Sequence, residues 1–235
     1  PTRRSSDLCP CCVGIIPRTL LSLPTWTYTK GKDAIYVNQF AGSTVTVDNV
    51  AGTSVQLTQT TDYPWNGKVE LEVNPATSKT FALNIRVPNR QNSLLYTNTP
   101  GSYGLLSLAV NGKSVKPMIE RGYAILDRTW KAGDTVEWEL PLAVQRVVAD
   151  HRIVANRGRV ALRYGPLIYN FESVDQDVNA VLASSASLAA EWKPDLLGGV
   201  LVIKGRFADG KPLLAIPNYA RLNRGGRSVV WMNDR

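Results

Sequence analysis

Cys9, Cys11 and Cys12 are the only cysteines of the chain, and they sit within four positions of one another in "LCPCCVGIIPRTLLSLPTWTY", residues 8–28. Three chemistries suit such a cluster. The first is a disulfide. Adjacent Cα atoms lie about 3.8 Å apart, short of the roughly 4.4–6.8 Å that ordinary disulfides span. A Cys11–Cys12 bond is therefore strained, and no later cysteine offers a stapling framework. The second is zinc, which thiolates bind strongly in a tetrahedral set. The third is nucleophilic or redox chemistry by a thiolate held next to a cation or metal. The bland reading, buried thiols packing as small hydrophobes, is weakened by three of them standing so close together. Spacing alone does not separate zinc ligand, nucleophile and redox pair. The single histidine, His151, is distant in sequence and lies in a strand-like region; it reads as a surface or satisfied residue. The chain thus shows no obvious complete metal site.

The elements that position this cluster come next. Residues 13–28 are expected to be helical in part. Pro17 suits a first helical turn, Leu20, Leu21, Leu23, Trp26 and Tyr28 supply an apolar face, and Pro24 bends or ends the helix. No partner helix follows, although an apolar helix face must be buried against something. After Gly31 the period becomes two. Val69, Leu71 and Val73 alternate with charged residues, as do Phe81 to Val87 and Val136 to Leu140 with their polar neighbours, which is the pattern of half-buried strands. Further strands are expected at Ile35–Phe40, Thr44–Val47, Ser54–Thr58, Leu105–Val110, Ala124–Arg128, Arg159–Tyr164 and Gly199–Ile203. Asn66-Gly67 and Asn111-Gly112 both read as tight type I′ hairpin turns.

These elements predict a mainly β protein of two antiparallel β-sandwich, jelly-roll-like domains after one terminal helix. The expected divisions are 9–30 for the helix, 31–144 for the first sandwich and 145–235 for the second, with Pro141 to Asp150 as the boundary region. Asp175 to Leu197, rich in Ala and Ser, is expected to be a long loop carrying a short helix.

Composition narrows the class. The 235 residues are 44% hydrophobic, enough for a sizeable core and unlike a disordered chain. No apolar run approaches the roughly 18 residues of a membrane span; Ile15 to Trp26 is broken by Pro17, Arg18 and Pro24. The net charge of +8 is scattered, with no run of five like charges. It accompanies no nucleic-acid-binding signature, so a basic solvated surface is the reading and nucleic acid is not an expected partner. Residues 1–8, "PTRRSSDL", match a translated sequencing adapter and are set aside from the fold. The expectation that follows is a C-terminal fragment of a longer protein. Localisation then stays open, a periplasmic or secreted place being compatible with a bacterial parent.

Longer blocks now carry a resemblance. Cys11-Cys12, Arg18 and "LLSLPTWTYTKGKDAIYVNQF" are followed by "GSTVTV", "TDYPWNGKVELEV", "FALNIRVPNR", "LAVNGK", "RGYAILDRTWKAGDTVEWELPLAVQRV" and "NRGRVALRYGPLIYNFE". Together they resemble the β-L-arabinofuranosidase group, glycoside hydrolase families 127 and 146, from Cys9 nearly to the C-terminus. The resemblance implies a retaining exo-glycosidase with an (α/α)6 barrel followed by β-sandwiches. Most retaining glycosidases use two carboxylates. This family instead implies a zinc-bound cysteine nucleophile with a glutamate acid/base. Carried over, Cys11 is nucleophile and zinc ligand, and Cys12 is the second ligand. A Glu and a Cys completing the zinc set, and the acid/base Glu, are expected upstream. The implied substrate is non-reducing-end β-L-arabinofuranose in plant glycans, the implied cofactor Zn2+, and the implied partner a missing N-terminal barrel. On this reading the fragment alone is inactive.

The sequence departs from the family at Ile15, where an Asn is expected, and Cys9 falls outside the pair. Tyr63 and Trp65 are weaker candidates for sugar stacking than for packing. Arg163 and Tyr164 are candidates for an active-site mouth, with a structural role at a domain junction favoured. Two rivals remain: a non-catalytic carbohydrate-binding or scaffold sandwich, and a thiol redox or metal-storage protein.

Overall fold

A computed structural model of the chain describes residues 10–89 and 93–235, with the backbone alone for 10–13. Among the described residues there is one α-helix, α1 (Pro10–Thr27), and the rest is strands, turns and short 3-10 turns. The mainly β expectation holds. The helix does not behave as expected: it starts before residue 13 and runs through both Pro17 and Pro24. An interior proline removes a hydrogen bond and crowds the preceding turn. Hydroxyls bind nearby helix carbonyls, Ser22 Oγ to Arg18 O at 2.8 Å and Thr25 Oγ1 to Ser22 O at 2.6 Å. Leu20, Leu21 and Trp26 on α1 are exposed.

The strands divide between two compact units, each discontinuous in sequence. The first takes residues up to Tyr63 with Lys68–Val87 and Ser107–Glu139; the second takes Pro64–Gly67, Pro88–Leu106 and Leu140–Arg235. In the first unit one sheet runs Tyr28–Lys30, Ala34–Val37, Lys79–Arg86, Tyr123–Trp130, Met118–Glu120. The other runs Ser43–Val50, Thr53–Thr61, Lys68–Pro75, Asp134–Glu139, Ser107–Val110, Lys113–Ser114. Alternation does what the sequence pattern demands: Val69, Leu71 and Val73 are buried while Lys68, Glu70 and Glu72 are exposed. Ile35, Leu57, Leu83, Ile85, Trp130 and Trp138 complete the core, and Trp130 Nε1 donates to Phe81 O at 3.0 Å.

The second unit holds a sheet ordered Val181–Leu182, Met232–Asp234, Arg159–Tyr164, Leu167–Glu172, Pro212–Pro217, Val200–Arg206, Ala189–Lys193. Val144–Ala149 pairs with both Arg159–Tyr164 and Tyr96–Thr99. Val160, Leu162, Tyr169, Phe171, Ile203 and Met232 form its main core.

Three local expectations need correction. The pairing is antiparallel except at Ala34–Val37 with Lys79–Arg86 and at Val181–Leu182 with Met232–Asp234, which are parallel. Asp175 to Leu197 carries the strands Val181–Leu182 and Ala189–Lys193 and no helix. The latter strand is exposed along most of its length, so it lacks the apolar alternation by which a strand is recognised. Asn111-Gly112 is the tight turn expected, with φ of 51° and 70°. Asn66-Gly67 is not; it ends the longer loop between Thr53–Thr61 and Lys68–Pro75. Gly67 O accepts from Leu140 N at 2.9 Å, and a Cβ at Gly67 would run into the Leu140 backbone. This glycine serves a close approach of two chain segments, a second use of the residue that its dipeptide does not distinguish.

Candidate functional site

The predicted thiol site begins with backbone. Cys11 and Cys12 occupy the first turn of α1, so their N–H groups belong to the set that has no intrahelical acceptor. The positive end of the helix dipole lies there and favours a thiolate over a thiol. The helix therefore contains the pair instead of starting after it. Their side chains, and Cys9 entirely, lie outside the described residues. Ile15, at the position where the family resemblance leads one to expect Asn, is half exposed.

The other end of α1 is held firmly in the first unit. Thr27 is buried, and its carbonyl accepts from Asn38 N at 2.9 Å. Asn38 Nδ2 donates to Trp26 O at 3.4 Å and to Thr29 Oγ1 at 3.2 Å, while its Oδ1 accepts from the Tyr123 hydroxyl at 2.7 Å. Next to it, the buried Gln59 donates through Nε2 to the Tyr28 hydroxyl at 3.1 Å and to Ala41 O at 2.8 Å. Burial raises the Tyr28 hydroxyl pKa, and hydrogen bonds with Ser43 and Gln59 oppose that rise. The phenol is neutral at ordinary pH and acts as a structural link.

The donor set is soft and suits zinc, with two sulfurs at neighbouring positions. Among the described residues no group of three or more His, Cys, Asp or Glu is placed to hold a metal. Two thiolates supply half of a tetrahedral set. The His151 side chain is solvent-exposed, with Nδ1 3.5 Å from Asp150 Oδ1.

The structure separates the weaker candidates. Tyr63 belongs to the first unit, where it meets Phe40 edge-on at 5.7 Å. Trp65 belongs to the second, edge-on to Trp192 at 5.7 Å and tilted against Tyr219 at 6.5 Å. Both rings are engaged in packing, and the angles between the second unit's three rings leave no flat stacking platform. Arg163 and Tyr164 are neighbours on one strand and so face opposite ways. Arg163 Nε donates to Gly165 O at 2.7 Å, and the Tyr164 hydroxyl approaches Trp65 O at 3.5 Å. Burial raises the Tyr164 pKa.

No described helix is long and apolar enough to cross a membrane.

Comparison with known proteins adds what the side chains cannot. The model of the GH127 β-L-arabinofuranosidase middle domain matches residues 34–142, and that of the family 127 C-terminal domain matches residues 144–233. A curated non-reducing end β-L-arabinofuranosidase of Bifidobacterium longum subsp. longum is 34% identical over 205 residues, covering 82% of this chain and 29% of its own length. Among solved structures, a GH127 β-L-arabinofuranosidase from Geobacillus stearothermophilus T6 superposes with a TM-score of 0.83 at 34% identity, over 97% of this chain and 38% of that one. A second GH127 β-arabinofuranosidase superposes with a TM-score of 0.87 at 30% identity, over 97% and 39%. The chain thus spans well under half the length of the relatives it matches.

Proposed function

Since the chain belongs to glycoside hydrolase family 127, we propose that it is the C-terminal part of a retaining zinc-thiolate glycosidase that releases non-reducing-end β-L-arabinofuranose from plant glycans. The observation that carries this reading is the 34% identity over 205 residues to a non-reducing end β-L-arabinofuranosidase. In this reading residues 9–30 close an (α/α)6 barrel, and two sandwiches follow, drawn mainly from 31–144 and 145–235, with Pro64–Gly67 and Pro88–Leu106 lent to the second. The exposed leucines of α1 support it, because an apolar helix face is stable only against other apolar surface.

Cys11 and Cys12 hold the zinc, and Cys11 is the nucleophile toward the anomeric carbon. A bound zinc ion keeps a coordinating sulfur deprotonated at neutral pH. The first-turn N–H groups of α1 act in the same direction. The remaining ligands and the acid/base carboxyl belong to the rest of the parent protein, so the 235 residues alone turn over no glycoside.

The test is arabinose release from an aryl β-L-arabinofuranoside by the parent protein, with zinc content measured on the same preparation. The expected result is stoichiometric zinc, with turnover abolished in Cys11→Ser. Full turnover in Cys11→Ser, or a metal-free active enzyme, overturns the mechanism. A parent that binds arabinan without hydrolysing any glycoside returns the reading to a non-catalytic carbohydrate-binding sandwich.

A further inference from the structure

The second unit contains a cavity of about 440 Å3 whose lining includes Ser93, Tyr96, Asn98, Arg163, Ile168 and Trp231. It shares Ser93, Tyr96 and Asn98 with an adjoining cavity of about 210 Å3, which Gln145 also lines. Strand register explains why these residues meet. Val147 pairs with Asn98 on one side and Ala161 on the other, Ala149 pairs with Tyr96, and Arg163 pairs with both Gln145 and Ile168. With a side-chain period of two, Tyr96, Asn98, Gln145, Val147, Ala161, Arg163 and Ile168 all share one face of the sheet. That face is the floor of the double cavity. Trp231 adds an aromatic wall, stacked on Tyr96 at 6.0 Å with 25° between the rings.

The chemistry of the lining selects a ligand class. Gln145 is 1% exposed. Its Nε2 donates to Pro100 O at 2.6 Å, but its Oε1 is buried with no hydrogen-bond partner. A buried acceptor left in this way is unfavourable until a donor reaches it. Ser93 Oγ accepts from Leu95 N and Tyr96 N, which leaves its own proton available. The Asn98 amide, with a donor and an acceptor end, completes a mixed set. Among the described residues no carboxylate lines either cavity. A ligand that fits must donate to Gln145, exchange hydrogen bonds with an amide and lay a C–H face on aromatic rings. Sugar hydroxyls and ring faces do all three. An ionised carboxylate would offer Gln145 no proton.

We propose that this double cavity of the second unit binds a short neutral oligosaccharide. Its size falls in the range of pre-formed small-ligand sites. The inference needs neither metal nor turnover, so it stands or falls separately from the glycosidase reading.

The experiment uses the 235-residue chain and saturation-transfer NMR with neutral arabino-, xylo- and galacto-oligosaccharides, against an oligogalacturonate. Saturable binding of at least one neutral oligosaccharide is expected, weakened at least tenfold in Trp231→Ala and in Asn98→Ala. Melting temperature verifies that each variant is folded. Should Trp231→Ala not fold, Asn98→Ala decides the matter. The proposal is overturned if no neutral oligosaccharide binds at millimolar concentration, if only the uronate binds, or if the folded variants bind as the parent chain does.

Discussion

The Tyr123 hydroxyl donates to Asn38 Oδ1 at 2.7 Å, joining residues 85 positions apart. Through the same amide, Nδ2 reaches Trp26 O and Thr29 Oγ1, and Asn38 N reaches Thr27 O. One side chain therefore ties the C-terminal end of α1 to the central strands of a sheet. Asn38→Ala is expected to cost about 1–1.5 kcal/mol, the upper end of a typical net hydrogen-bond contribution, because several bonds go at once while the partners keep access to water. Tyr123→Phe, which removes one bond and keeps the edge contact with Tyr36 at 5.3 Å, is expected to cost about 0.5–1.5 kcal/mol. Amide exchange at residues 23–27 should quicken in Asn38→Ala more than at the strand Tyr123–Trp130. Equal exchange across both would show that Asn38 does not anchor the helix.

Glu172 in the second unit sets a larger effect. Its side chain is fully buried, and its carboxylate accepts from Leu222 N at 2.5 Å and from Arg224 Nη2 at 2.7 Å. Arg224 also bonds Asp175, and that bond, with the one to Glu172, holds its pKa up against the lowering effect of burial. Arg224→Ala would leave a buried carboxylate without its cation, which typically costs about 3–5 kcal/mol. Glu172→Gln with Arg224 intact should cost less, because an amide is easier to bury than an anion. Urea denaturation of the variants checks the order. Arg224→Ala proving the milder would mean that the Leu222 amide alone satisfies the carboxylate.

These examples show where local pattern stops being informative. Lys68–Pro75 was legible because only one of its faces is buried. Leu167–Glu172 is buried on both faces over most of its length, so its apolar run has no period to read. Ala189–Lys193 and Tyr96–Thr99 fail for the opposite reason: mostly exposed and at sheet edges, they carry little hydrophobic signal. Asn66-Gly67 and Asn111-Gly112 are the same dipeptide put to two uses, and only the position of Leu140 tells them apart. The cysteine pair was legible as chemistry from residue type alone, whereas a complete ligand set depends on residues distant in sequence. The double cavity was invisible for a related reason. Asn98 meets Val147 only because an edge strand pairs across nearly fifty residues, a register that no local window contains.

A pH prediction follows from Asp150. The side-chain hydrogen bond from Arg152 at 2.7 Å, with a second from its backbone N–H at 2.9 Å, holds the Asp150 carboxyl at about 2, below the ordinary carboxylate range. The folded value is depressed, so this interaction contributes stability above the unfolded pKa and loses it as pH falls from about 4 through about 2. Carbon-detected NMR titration should place the Asp150 midpoint near the lower figure, and Arg152→Ala should return it toward the ordinary carboxylate range. An unchanged midpoint in that variant would assign the shift to another source.

The two Asn-Gly sites provide the sharpest test of why each glycine is present. Gly112 sits at φ +70° with open space where a Cβ would go. Gly112→Ala should therefore cost only the left-handed backbone penalty, roughly 1–2 kcal/mol. Gly112→Asn should recover part of that, since Asn tolerates the conformation. Gly67 is not in that region; a Cβ there meets the Leu140 backbone, and the strain of overpacking is typically about 1–3 kcal/mol and sometimes more. Gly67→Asn is bulkier than Gly67→Ala and should be at least as damaging, the reverse of the order at Gly112. Thermal melts of the four variants decide it. If Asn relieves Ala at residue 67 as well, the backbone angle, and not the nearness of Leu140, is what requires glycine there.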